Sequence, residues 1–119
     1  MYFLETLLCA LLLCNGSFEQ GLTGWRVFGE ARIVSGVCGT QAIRLNGALQ
    51  TEGISVARNQ TYVVTFKYRG KHLRATGLLD LPATKTWRTA RYEITPQTNA
   101  LSIGFEGLGK IDCVQVTTK

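Results

Sequence analysis

The chain has 119 residues, enough for one domain with a real core and too few for two. Hydrophobic residues make up 45% and charged residues 18%, which excludes an intrinsically disordered chain. The formal net charge is +5, but the basic residues are dense only over 67–74 and accompany no nucleic-acid-binding motif, so they suit solubility or an acidic partner surface and not a specific nucleic acid.

Residues 2–14, YFLETLLCALLLC, are strongly apolar. The run is too short to cross a bilayer as a helix. It also lacks the basic start and A-x-A site of a secretory signal, and Glu5 interrupts it. Leu13 stands where a lipoprotein signal ending at Cys14 would need a small residue. The expectation is structural: an N-terminal arm over 1–10, then a domain over 11–119 whose first strand is 11–13. An apolar arm on a small protein needs a partner surface, which makes Tyr2, Phe3, Leu4, Leu7 and Leu8 candidate interface residues.

Beyond the arm, thirteen glycines against two prolines mark out turns between short strands. Residues 31–35 read as a strand, Gly36-Val37-Cys38-Gly39 as a turn, and 41–45 as the next strand. Asn46-Gly47 is a hairpin-type turn signal. A short strand over 53–56 and the polar turn Arg58-Asn59-Gln60 follow. The clearest strand is 61–69, where Tyr62, Val64, Phe66 and Tyr68 alternate with a polar, basic set and point to the core. Lys71-His72-Leu73-Arg74 reads as a basic turn. Strands over 73–81 and 86–95 end at Pro82 and Pro96. Residues 100–106 turn Leu101, Ile103 and Phe105 inward, Gly107-Leu108-Gly109 reads as a hairpin turn, and 111–117 closes the domain. The sum is all-β: an antiparallel two-sheet β-sandwich of the jelly-roll type, with eight or nine short strands and no helix outside 2–10.

Cysteines stand at 9, 14, 38 and 113, with no CxxC pair and a single histidine, His72, so zinc-site spacing is lacking. Two disulfides and four buried free thiols both fit the count. Cys9 and Cys14, inside the apolar run, read as small hydrophobes. There is no Ser/His/Asp set and no Gly-rich phosphate loop, and the eight acids are scattered over turns and strand ends. The chain reads as non-catalytic.

Asn15-Gly16-Ser17-Phe18-Glu19, then Gly21-Leu22, then Gly24-Trp25, resembles the opening of carbohydrate-binding modules of the family 4/9/22 type, within the galactose-binding-like jelly rolls. Tyr62-x-Val64-x-Phe66-x-Tyr68-Arg69-Gly70 looks like the central strand of those modules, Thr86-Trp87 like a strand start, and Ile111-Asp112-Cys113-Val114 like their closing I-D-D-V strand with Cys113 in place of the second Asp. The resemblance covers residues 11–117. It implies a structural calcium held by Glu19 and Asp112 with backbone oxygens near 36–39, although one acidic ligand is missing at Cys113. It also implies that the loop of Cys38 lies against Cys113, so a Cys38–Cys113 disulfide is expected in an oxidising compartment. For a glycan, the ligand candidates are Lys67 and Arg69 on the outward face of the central strand, with Trp87 as a stacking platform. Trp25 is expected in the core.

Two functions follow. Small stand-alone jelly rolls resemble the decoration or cement proteins of tailed-phage capsids. The apolar arm and the dispersed positive charge favour that reading: a homo-oligomer, dimer or trimer, clamping capsid proteins on the virion exterior. The alternative is a secreted or surface module that binds a polysaccharide on its concave sheet.

Overall fold

The computed structural model describes residues 12–13, 15–75 and 79–119. The arm over 1–10, with its interface candidates, lies outside the described residues, as do Cys9, Leu11 and Cys14. Eight strands are present: β1 Trp25–Ser35, β2 Gln41–Thr51, β3 Ile54–Ser55, β4 Tyr62–Ala75, β5 Leu79–Asp80, β6 Thr84–Ile94, β7 Ala100–Leu101 and β8 Gly104–Thr118. There is no helix among the described residues. One antiparallel sheet runs β1-β2-β8-β4-β5, with β6 also paired to β4, and β3 and β7 form a second, two-stranded sheet. The chain is an all-β antiparallel sandwich with a jelly-roll fold.

The strand count agrees with the sequence reading, but five of the strands are 11 to 15 residues long instead of short. Three expected breaks are not breaks. Asn46-Gly47 lies inside β2, Gly107-Leu108-Gly109 inside β8, and Lys71-His72-Leu73-Arg74 inside β4. The expected strand over 73–81 is instead the end of β4 and the short β5 paired back onto it, Arg74 opposite Asp80. Leu12 and Leu13 form a bend and not a first strand.

The glycines mislead for one reason. Gly29, Gly47 and Gly107 lie directly opposite one another across β1, β2 and β8, all with positive φ. A β-carbon at Gly47 or Gly107 would run into the backbone of the adjacent strand. Glycine here permits close strand approach and a kink within a continuous ladder, which sequence alone cannot separate from a turn.

Period-two alternation sorts each long strand into a core face and an outer face. Ile43, Leu45 and Leu49 of β2, Phe105, Ile111, Val114 and Val116 of β8, and Tyr62, Val64, Phe66, Tyr68 and Leu73 of β4 are buried together. Aromatic rings carry this core across the molecule. Phe18 packs on Trp25 (centroids 5.0 Å apart), Trp25 on Phe105 (6.4 Å), Phe105 edge-on to Phe66 (4.8 Å), and Phe66 against Tyr92 (6.4 Å). Trp25 is 7% exposed, as a core role requires.

The opening motif builds a closed loop under that core. The buried Asn15 donates from Nδ2 to the carbonyls of Gly21 (3.0 Å) and Thr23 (2.9 Å), and its Oδ1 accepts from the Gln20 amide (3.1 Å). Trp25 Nε1 donates to the Asn15 carbonyl (3.0 Å). The Asn-x-Ser sequon at Asn15 is thereby spent on structure, since its amide nitrogen has no room for a sugar. Replacing Asn15 by Ala orphans three part-buried backbone partners. Asn15→Ala should lower unfolding free energy by about 2–4 kcal/mol in urea titration; a change under 0.5 kcal/mol would show that the cradle does not hold the loop.

Candidate functional site

Two regions of the structure combine functional side chains: the loop that joins β1 to β2, and the outer face of the large sheet. In the first, Glu19 and Asp112 clasp the loop from opposite ends of the sequence. Glu19 accepts from the Thr40 amide (2.8 Å), the Thr40 hydroxyl (2.7 Å) and the Gln41 amide (2.8 Å). These donors, the Thr40 amide first, hold the Glu19 carboxyl below its ordinary value even though the group is exposed. Asp112, fully buried, accepts from the amides of Val37 (2.8 Å), Cys38 (3.1 Å) and Cys113 (2.7 Å).

Cys38 and Cys113 form a disulfide with Cα atoms 5.6 Å apart, the pairing the resemblance implied. The left-handed backbone at Cys113 (φ 57°) makes room for it. Asp112 also lies within reach of both sulfurs, but bonded sulfurs are not thiolate ligands. The region over 36–41 thus turns amide N–H groups, not carbonyl oxygens, toward both carboxylates. Calcium needs converging oxygens, and the positive ends of these dipoles oppose a cation. The residues present do not fit the expected structural calcium; a disulfide and five backbone N–H bonds already do the tying.

The second region is the outer face. Pairing registers lay its side chains out in rows across the strands. Phe28 stands opposite Ala48, and Ala48 opposite Glu106. Glu30, Asn46, Leu108 and His72 form the next row. Arg32, Arg44, Lys110 and Arg69 form the third, and Lys67 lies between Asp112 and Thr89 in the fourth. Trp87, half-buried, stands in β6 next to Arg88, where the β4–β6 register shifts and alternation no longer assigns a face. The sheet therefore sets Lys67 and Arg69 side by side on the outer face of β4. Phe28 (59% exposed) and Leu108 (43% exposed) add open apolar surface. Glu30, Arg32, Arg44, Asn46 and Leu108 line a depression of about 190 Å³. Tyr92 faces the other way, into the core, where burial pushes its phenol up to about 12. His72 is exposed in mid-strand. Arg32, Arg44 and Lys110 were not singled out from the sequence, where they are isolated charges.

No protein-family model matches the chain, and no curated protein does. Solved structures do match it in fold. A family 61 carbohydrate-binding module in complex with β-1,4-galactotriose superposes with a TM-score of 0.66 at 18% identity, over 92% of this chain and 99% of that one. A xylan-binding family 22 module from Paenibacillus barcinonensis Xyn10C gives 0.66 at 15%, over 87% and 91%. The enzymatically active domain of tailspike protein 4 from bacteriophage CBA120 gives 0.65 at 12%, over 92% of this chain but 21% of that one. The modules bear out the jelly-roll assignment.

Two outcomes follow from the clasp. A Cys38→Ser, Cys113→Ser variant opens a crosslink spanning a sequence separation of 75 and should lose about 4 kcal/mol in denaturant unfolding, while calcium or EDTA leaves the midpoint of the wild type unchanged. A calcium-dependent rise in Tm would overturn the second part. Glu19 is held below the ordinary carboxylate value only in the folded state. Its contribution is present above the unfolded value of 4.5 and is lost as pH falls through the lower folded value. Thermal unfolding followed from pH 6 to pH 2 should fall less steeply in Glu19→Gln than in wild type.

Proposed function

We propose that this protein is a non-catalytic carbohydrate-binding module that holds a polysaccharide on the outer face of its large sheet. What supports this reading is the placement of Lys67 and Arg69 on one open face of β4, with Trp87 of the neighbouring strand β6 as the candidate platform. An indole platform beside charge-bearing hydrogen-bond donors is the pairing that sugar recognition needs, because a pyranose offers an apolar face and a rim of hydroxyls. The fold neighbours support it: one is described with a galactotriose and another as xylan-binding.

The non-catalytic part rests on how the acids are used. Among the described residues, Glu19 and Asp112 are taken by N–H donors, and Asp80, Glu93 and Glu106 by Arg or Lys. Glu30 stands opposite Asn46 in mid-β1, and Glu52 lies past the end of β2 beside Gly24, at the far end of the same ladder, so these two do not form the facing carboxylate pair that glycoside hydrolysis uses. The Cys38–Cys113 disulfide favours an extracellular setting. The capsid reading rests on the arm residues Tyr2, Phe3, Leu4, Leu7 and Leu8, and no described feature adds to it.

The test is a glycan array followed by calorimetry on the hits. We expect micromolar binding to at least one polysaccharide and a loss of tenfold or more in Trp87→Ala, with unchanged circular dichroism. Glycan binding that survives Trp87→Ala and Lys67→Ala together would move the site elsewhere, and absence of any glycan signal would reject the module.

A further inference from the structure

The third row of the outer face consists of cations alone. Arg32 pairs with Arg44, Arg44 with Lys110, and Lys110 with Arg69, so four adjacent strands each present one positive side chain at the same height. At the spacing of antiparallel strands the row spans about 14 Å. Among the described residues, none of these four takes part in an ion pair. The same face does neutralise cations elsewhere: Arg74 bonds Asp80 and Glu106 (both 3.3 Å), and Glu93 bridges Arg91 and Lys119. Lys67 extends the positive field at the Arg69 end. Glu30 lies in the neighbouring row and shares the depression with Arg32 and Arg44.

From this row we infer that the polysaccharide is acidic, a polyuronate whose carboxylates are taken in turn by Arg32, Arg44, Lys110 and Arg69. The inference rests on the carbohydrate-binding reading and narrows its ligand. The strand spacing that separates the cations is close to the length of one sugar in an extended chain, so successive uronates meet successive strands. Three of the four cations are arginines, whose planar fork matches a carboxylate with two parallel hydrogen bonds. Leu108 and Asn46 beside the row give a sugar ring an apolar patch and an amide, which a bare phosphate polymer does not need. A Cys38–Cys113 disulfide suits an oxidising, extracellular compartment, where polysaccharide is a common polyanion.

Calorimetry at low and physiological salt would compare polygalacturonate and alginate with neutral β-1,4-galactan and xylan, and with dextran sulfate and single-stranded DNA as polyanions without uronates. We expect a polyuronate to bind at least tenfold more tightly than the neutral glycans, and the preference to shrink as salt rises. Arg44→Gln and Arg32→Gln should each cost about tenfold on the polyuronate, the loss of one charge-assisted contact, with folding checked by thermal unfolding. Neutral glycans bound as tightly as polyuronate, with no effect of either substitution, would overturn the acidic ligand and leave the module standing. Dextran sulfate or DNA bound as well as polyuronate would overturn it too, in favour of a general polyanion surface. No carbohydrate bound at all would reject the module itself.

Discussion

Strand β8 is hydrogen-bonded on both sides, to β2 through residues 104–111 and to β4 through residues 105–118. A strand in that position cannot slide. A slip of one residue would send Phe105 and Ile111 to solvent and bury Glu106 and Lys110, at a cost of several kcal/mol from the aromatic burial alone. The register that buries the core therefore also fixes what stands on the other side of the sheet. Leu108, Lys110 and Glu106 occupy the outer face because Phe105 and Ile111 must occupy the inner one. The charge rows of β1, β2 and β4 follow, since each is paired to β8 directly or through one neighbour.

The two ends of the domain are held by a different device. The opening loop closes on the Asn15 side chain and on the Phe18–Trp25 contact, and the β1–β2 loop is gripped by Glu19, Asp112 and the disulfide. Each carboxylate takes three hydrogen bonds from the loop or its edges, so a loop that carries no apolar anchor is nonetheless fixed. These residues give the chain its resemblance to sugar-binding modules, yet their side chains are consumed by the fold. The groups free to meet a ligand lie on the sheet, outside the opening motif.

That division explains what could be read from the sequence. Period-two alternation in Tyr62, Val64, Phe66 and Tyr68 is a strong signal because only burial produces it, and the core face of β4 follows from it directly. The Cys38–Cys113 disulfide came from family resemblance, since spacing alone does not pair four cysteines. Strand lengths are not legible wherever glycine sits inside a ladder: Gly47 and Gly107 are spaced like turn residues but serve strand approach. The cation row is hidden in the sequence for the same reason. With the turn at 36–39 and continuous strands on either side, Arg32 and Arg44 are symmetric about the hairpin and must pair. A break at Asn46-Gly47 and another at Gly107-Leu108-Gly109 removes the continuity that would extend the row to Lys110 and Arg69.

The row is also a matter of energetics. Like charges directly opposite on a sheet destabilise it, by roughly 0.2–1 kcal/mol per pair before salt screening, and three such contacts lie in succession here. Charges spread for solubility alone gain nothing from being aligned, and glutamate at any of the four positions would relieve its neighbours. The sheet meets this problem elsewhere on the same face by setting Glu106 and Asp80 against Arg74. In the Arg32–Arg69 row the repulsion stays, tolerated because the core on the opposite face outweighs it. An arriving polyanion removes that self-repulsion while it makes its own contacts, so the unliganded sheet carries a bias toward negative ligands that no single arginine would supply.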